Sequence, residues 1–113
     1  MAIQNALVAA PPYRVEEALT RLGANLRTAR VRRKLSLQDV ADKIGVGRHV
    51  VANAERGKPL TGVIVYLAML WAYDLLDQLS EVADPARDSQ GLALELASEK
   101  SRVRRREAMS NDF

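Results

Sequence analysis

Residues 35–58 read LSLQDVADKIGVGRHVVANAERGK and begin with a short apolar repeat that ends at a glycine. The apolar residues recur at three- and four-residue spacing, which places them on one face of a helix: Leu37, Val40, Ala41 and Ile44. Ser36 and Asp39 form a capping-box pattern at the start of this helix. Gly45 can adopt the left-handed conformation that ends a helix without a side-chain clash. The stretch therefore predicts a short capped helix followed by a sharp turn.

A second short helix is predicted after this turn. Gly47 stands at its start and Gly57 at its end, and Val51 and Ala54 have the spacing of inward-facing residues. The outward positions carry three polar side chains, which are Arg48, His49 and Asn53. Two short helices joined by a glycine-containing turn form a helix-turn-helix unit, which presents its second helix to the major groove of DNA.

Further helices are predicted on both sides of this unit. Apolar spacing predicts a helix over about 15–34, through Leu19, Leu22, Leu26 and Ala29. Thr61 is the predicted cap of a later helix that carries Val63, Ile64, Leu67, Leu70 and Trp71, and a fifth helix is predicted over 75–82. Three aromatic residues have two possible roles: Tyr66, Trp71 and Tyr73. They either pack in the core or in a dimer interface, or they form a platform on which the bases of single-stranded nucleic acid stack. Their aliphatic surroundings favour packing.

Charge is segregated along the chain although the net charge is only +3. Residues 21–58 contain ten Lys or Arg and three acids, a local charge of +7, whereas residues 59–99 contain one Arg and seven acids, a local charge of −6. The bases of residues 100–113 are concentrated in KSRVRRR. A basic segment of this kind is typical of a protein that binds a polyanion, although solvated helix faces also carry such charge.

Composition excludes several classes of function. The chain has no cysteine, which excludes disulfides, thiolate metal sites and thiol catalysis, and its single histidine argues against a metal cluster. No nucleophile and base pair and no glycine-rich phosphate loop is present, so we expect neither an enzyme nor a cofactor. The N-terminus lacks a secretory signal, and no apolar run reaches the roughly 18 to 20 residues needed to span a bilayer.

Residues 22–58, LGANLRTARVRRKLSLQDVADKIGVGRHVVANAERGK, resemble the lambda-repressor/Cro-type (XRE) helix-turn-helix domain. The shared features are an arginine-rich first helix, an L-S-x-x-x-x-A-x-x-x-G-V helix and a recognition helix that ends in E-R-G. The resemblance implies an all-α, five-helix lambda-repressor-like domain, which we place at residues 14–83. Residues 1–13 are then a flexible arm, and residues 84–113 a tail that is partly disordered or partner-binding, with a partial helix over about 91–107.

The resemblance also assigns base-reading positions on the recognition helix. Arg48 matches a position suited to a bidentate contact with guanine, and Asn53 a position suited to adenine. His49 can donate to a base or a phosphate, and Val50 and Ala52 can lie against thymine methyl groups. For each polar side chain the alternative is an ordinary solvent-exposed position on a surface helix.

Two supporting sets of residues follow from the same resemblance. Arg30 and Glu55 match positions that commonly form an internal ion pair. Phosphate contacts are expected from side chains around the motif: Ser36, Gln38, Lys34, Arg32, Arg33 and Lys58. Two positions depart from the family pattern, because Gly47 replaces the usual Ser or Thr cap and Leu37 stands where many members carry a Gln that contacts DNA.

Residues 73–94, YDLLDQLSEVADPARDSQGLAL, are similar to the segment after the helix-turn-helix in HipB-like antitoxins, which are encoded beside HipA-like kinase toxins. This similarity implies a repressor of its own operon that also holds the kinase inactive. The apolar surplus in the last two helices indicates a homodimer, which would bind a palindromic operator in double-stranded DNA. We therefore predict a cytoplasmic, nucleoid-associated repressor and antitoxin. The alternative is a protein-interaction adaptor with a repressor-like fold that does not read bases.

Overall fold

The computed structural model describes residues 5–110, and every regular element within them is helical, which confirms the all-α prediction. The α-helices in chain order are α1 Ala6–Ala9, α2 Tyr13–Arg32, α3 Leu37–Ile44, α4 Arg48–Glu55, α5 Val63–Ala72 and α6 Ser89–Ser110. Two 3-10 helices, Leu76–Glu81 and Pro85–Arg87, come between α5 and α6 along the chain. The chain divides into two compact units, Met1–Asp77 and Gln78–Phe113.

The local signals around α3 act as the sequence predicts. The Ser36 hydroxyl oxygen accepts the Asp39 amide at 3.0 Å, and the Asp39 carboxylate accepts the Ser36 amide at 2.8 Å, so the capping box is complete. The bonds from the Ser36 backbone and side chain lower the pKa of the Asp39 carboxyl, because they stabilise its charged form. At the other end Gly45 has a left-handed φ of 79°. The amides of Gly45 and Val46 both donate to the Ala41 carbonyl, which ends α3 sharply.

The core of the first unit forms where α2, α3, α4 and α5 meet. Its buried side chains are Leu26 and Ala29 of α2, Val40 and Ala41 of α3, Val51 and Ala54 of α4, and Tyr66, Met69, Leu70 and Tyr73 at α5. The burial of Val51 and Ala54 confirms their predicted inward orientation. Leu22, which the apolar spacing places on the same face of α2 as Leu26 and Ala29, is 36% exposed.

The boundaries predicted around α5 need two corrections. The helix begins at Val63 with Gly62 as its N-cap and without a side-chain capping bond, so the predicted cap by Thr61 is wrong. The fifth helix predicted over 75–82 is present as the 3-10 helix Leu76–Glu81 rather than as an α-helix. The first difference moves the cap of α5 by a single residue, a shift that is common at helix ends.

Of the three aromatic residues at α5, Tyr66 and Tyr73 are buried, which confirms the predicted packing for these two. Val63, Ile64 and Trp71 are exposed, whereas Tyr66 and Met69 are buried. Since α5 carries apolar residues on nearly all sides, residue spacing alone does not select the face that packs inward.

Both ends of the chain contain helices. The arm predicted at 1–13 includes α1, which is capped by the Asn5 side chain through the Leu7 amide at 2.9 Å; its residues 1–4 lie outside the described residues. In the tail predicted at 84–113, α6 covers and extends the partial helix expected over 91–107, and none of its side chains is buried; residues 111–113 lie outside the described residues. Between residues 5 and 110, no helix is both long and apolar enough to cross a bilayer.

Candidate nucleic-acid interface

The helices α3 and α4, with the turn at residues 45–47, form a helix-turn-helix. The fully buried side chains of Val51 and Ala54 pack α4 against α3 and α2. Gly47 is the N-cap of α4 and makes no side-chain capping bond, as the missing hydroxyl predicts. A short helix fixed through one face and open on the other can enter a DNA major groove.

A bidentate ion pair fixes the end of α4 to α2. Arg30 donates from Nε to Glu55 Oε2 at 2.6 Å and from Nη2 to Glu55 Oε1 at 3.0 Å, and its Nη1 donates to the Leu35 carbonyl at 2.9 Å. The two side chains are only 12% and 6% exposed. The hydrogen bonds to the Glu55 carboxylate raise the pKa of Arg30 further above its usual range. This pair, which the family resemblance implied, therefore ties the end of α4 to α2.

Three of the predicted base-reading side chains come together beside the α4–α5 loop. A depression there is lined by three parts of the first unit: His49, Val50 and Asn53 of α4, Lys58 to Gly62 of the loop, and Val8 of α1. Arg48 and Ala52 are not part of its lining, because a turn of about 100° per residue places them on the other flank of α4. Arg48 and His49 are exposed, while Asn53 is half-buried.

The His49 ring lies against the first turn of α4. A Cβ atom added to Gly47 would come within 2.7 Å of the His49 ring, although nothing else lies close to it. Glycine at this N-cap therefore leaves room for the imidazole to fold back over the helix start. A histidine with this freedom can also turn outward to donate to a base or a phosphate.

The predicted phosphate-binding residues differ in how free their side chains are. Arg32, Lys34 and Lys58 are exposed and form no ion pair with any residue in 5–110. Gln38 donates from Nε2 to the Asp42 carboxylate at 2.7 Å. Ser36 uses a lone pair of its hydroxyl for the cap of α3 and keeps its own hydroxyl proton to donate.

Arg33 is engaged in the packing of its own unit. Its Nη1 donates to the Ala29 carbonyl at 2.9 Å and its Nη2 to the Tyr73 carbonyl at 2.8 Å. The guanidinium carbon also lies 5.6 Å from the centre of the Tyr73 ring, a cation–π arrangement. These bonds use two of the five N–H donors of the guanidinium and hold it beside Tyr73, so the side chains of Arg32 and Lys34 are freer to reach a phosphate.

Arg56 shares the outward face of α4 and was not singled out from the sequence. It is exposed at the C-cap of α4 and follows His49 by seven residues, which is within about 20° on a helix. The seven-residue spacing between His49 and Arg56 could have indicated this position from the sequence. Arg56 was considered only as part of the E-R-G segment that ends the recognition helix. The structure thus adds a positive charge to the candidate interface.

Lys34 combines a candidate phosphate contact with an unfavourable backbone conformation, since its φ is 57°. A side chain in this left-handed region costs about 1 kcal/mol, a cost that glycine avoids. We expect Lys34→Gly to raise the free energy of unfolding by about 0.5 to 1 kcal/mol in urea denaturation, while DNA affinity falls because a charge is lost. Arg32→Gly is the matched control, because it removes the same charge from a helical position and should lower stability by up to about 1 kcal/mol. A Lys34→Gly protein less stable than wild type would contradict the backbone explanation.

Comparison with known families agrees with this geometry. A family model described as a helix-turn-helix domain matches residues 21–83, which is more than half of the chain. No curated protein and no solved structure matches the chain. Within residues 5–110, no group of three acidic or histidine side chains is arranged to hold a metal ion. The matched region contains the ion pair, α3, the turn and α4, and the chain therefore belongs to the helix-turn-helix domain family, a class that binds DNA through the second helix of the motif.

Proposed function

We propose that the chain is a sequence-specific transcriptional repressor of the lambda-repressor/Cro (XRE) type. The outward face of α4 carries this proposal, because Arg48 and His49 are exposed there while Val51 and Ala54 anchor the opposite face. Guanidinium and carboxamide groups, as in Arg48 and Asn53, match the edges of guanine and adenine in the major groove. The charges of Arg32, Lys34 and Lys58 would neutralise phosphates around the groove, so that affinity falls steeply as salt rises.

The proposal includes a homodimer on a palindromic operator. Large apolar side chains near the end of α4 and on α5 are exposed, with Leu60 at 84%, Ile64 at 76% and Trp71 at 55% of their full area. Apolar surface of this extent supports an interface with a second copy. Two copies related by a two-fold axis would present two α4 helices to half-sites one turn of DNA apart.

A narrower form of the proposal makes the repressor the antitoxin of a HipA-like kinase. It is supported by the similarity of residues 73–94 to HipB-like antitoxins and by the 22 residues of α6, none of which is buried. In this role the protein would act in the cytoplasm, at the promoter of its own operon. Co-purification with a kinase encoded beside it is the test. A chain that binds its promoter but retains no kinase would be a standalone regulator.

Binding to promoter DNA and to scrambled DNA of equal length tests the base-reading assignment. We expect Arg48→Ala and Asn53→Ala each to cost about 1 to 3 kcal/mol on the promoter and to reduce the preference over scrambled DNA. Lys58→Ala should weaken binding to both DNAs alike and reduce the salt slope by about 1. Fluorescence anisotropy across a salt series measures both quantities.

An exposed arginine outside the interface provides the control for these substitutions. Arg14 lies at the start of α2, and Arg14→Ala should leave the ratio of the two affinities unchanged. Equal losses on promoter and scrambled DNA for the Arg48 and Asn53 variants would contradict base reading. A wild-type protein without preference for its promoter would favour the alternative function, a protein-interaction adaptor with a repressor-like fold.

A further inference from the structure

The C-terminal half of α6 carries a dense run of positive charge. Residues 100–106 read KSRVRRR, with five bases and no acid, and we call this segment the basic end of α6. Its bases are all exposed: Lys100, Arg102, Arg104, Arg105 and Arg106. Because an α-helix rises about 1.5 Å per residue, these charges are concentrated along roughly 10 Å of helix.

Two acidic side chains flank the basic end along α6, Glu99 and Glu107, but neither forms an ion pair with it in the part of the chain that the structure describes. None of the five bases forms an ion pair with a residue in 5–110. Lys100 and Arg104 are four residues apart, as are Arg102 and Arg106, and like charges at this spacing repel each other on a helix. The basic end is therefore a helical segment with an excess of positive charge, and the binding of a polyanion would reduce the repulsion between its bases.

We propose that the basic end of α6 is a second DNA-binding element, which binds the phosphates of a duplex without reading its bases. This inference rests on the proposed function, because it assigns the same ligand to a further part of the chain. Phosphate contacts require positive charge but little fixed side-chain geometry. Long, exposed side chains with no other hydrogen-bond partner in the described structure meet that requirement.

The distribution of the bases around α6 favours a duplex over a protein surface. At about 100° per residue, the five side chains point in directions spread over about 240° of the helix circumference, so that some lie on opposite flanks. A protein surface would contact one side of α6 and leave the opposite guanidinium groups unpaired. A helix in the major groove has a phosphate strand on each side, so bases on opposite flanks of α6 can both be neutralised.

Neutralising the basic end in the full-length protein tests the inference. The variant Arg104→Gln/Arg105→Gln/Arg106→Gln removes three charges and keeps residues of good helix propensity. We expect its affinity to fall at least about tenfold on promoter and scrambled DNA alike, and its salt slope to fall by about 2 to 3, since each phosphate contact contributes roughly 0.9. The ratio of the two affinities should stay as in wild type.

The matched control replaces the same three arginines with lysine. Lysine keeps the charge at each position and binds phosphate as a point charge, so this variant should retain the wild-type salt slope. Wild-type affinity and slope in the glutamine variant would overturn the inference. So would equal losses in the lysine and glutamine variants, because charge would then not be the cause.

The same measurements distinguish this inference from the proposed function. If Arg48→Ala and Asn53→Ala leave the promoter preference unchanged while the glutamine variant loses affinity and slope, base reading by α4 fails and the phosphate role of α6 stands. If the glutamine variant behaves as wild type while Arg48→Ala and Asn53→Ala reduce promoter preference, base reading by α4 stands and the phosphate role of α6 fails. A full-length protein that binds neither DNA at low salt would overturn both.

Discussion

Replacing Glu55 with alanine is expected to lower the free energy of unfolding by about 3 to 5 kcal/mol, the range for breaking a buried ion pair. Arg30 makes two short bonds to this carboxylate and one to the Leu35 carbonyl, with its own side chain only 12% exposed. Without Glu55, the guanidinium would be left largely out of water with one hydrogen-bond acceptor. Urea denaturation of the variant and of wild type at equal protein concentration measures the loss.

Two comparisons separate the ion pair from general effects of substitution. Glu17→Ala removes an exposed carboxylate from α2 and should change stability by no more than about 0.5 kcal/mol. The double variant Arg30→Met/Glu55→Leu should be more stable than Glu55→Ala alone, because no buried charge then lacks a partner. A loss below about 1 kcal/mol in Glu55→Ala would show that water reaches Arg30 and that the pair does not fix α4.

The helix-turn-helix could be predicted from the sequence because its signals are local. The capping box of Ser36 and Asp39 lies within four residues. A glycine at position 45, just after the apolar repeat, directly indicates the left-handed backbone found there. Val51 and Ala54 lie on a helix whose polar and apolar faces are distinct, so spacing alone identifies the buried side. The Arg30 and Glu55 pair is separated by 25 residues, and it was anticipated only through the family resemblance.

The features that escaped prediction depend on contacts between distant segments. In α5 the apolar residues extend round the helix, and the burial of Met69 rather than Ile64 is decided by α3 and α4, which pack against it. Arg33 is indistinguishable in sequence from its neighbour Arg32, yet it is the one that reaches the Tyr73 carbonyl, 40 residues away. The close approach of another backbone segment at Gly23 could not be predicted either. A glycine inside a helix with regular apolar spacing does not indicate which atoms of other segments lie against it.

Gly23→Ala is expected to lower the free energy of unfolding by about 1 to 2 kcal/mol, although alanine is the better helix former. A Cβ at this buried position would lie 2.6 Å from the backbone carbonyl oxygens of Ala54 and Glu55, closer than atoms can approach. Helix propensity would contribute about 1 kcal/mol in favour of alanine, but these contacts are backbone and can be relieved only by moving α2 away from α4. Overpacking of this kind costs about 1 to 3 kcal/mol, and occasionally more.

The displacement should reach the DNA-binding surface as well as the core. Moving α4 would lengthen the Arg30 to Glu55 bonds and tilt the outward face that carries Asn53, so promoter preference should fall together with stability. Gly62→Ala is the matched control, because nothing lies within 4 Å of a Cβ at that position, and it should cost no more than about 1 kcal/mol through the N-cap of α5. Thermal denaturation and promoter binding of the two variants provide the comparison. If Gly23→Ala were as stable as wild type, α2 and α4 would have room to separate, and the close approach at Gly23 would not determine how α4 is presented to DNA.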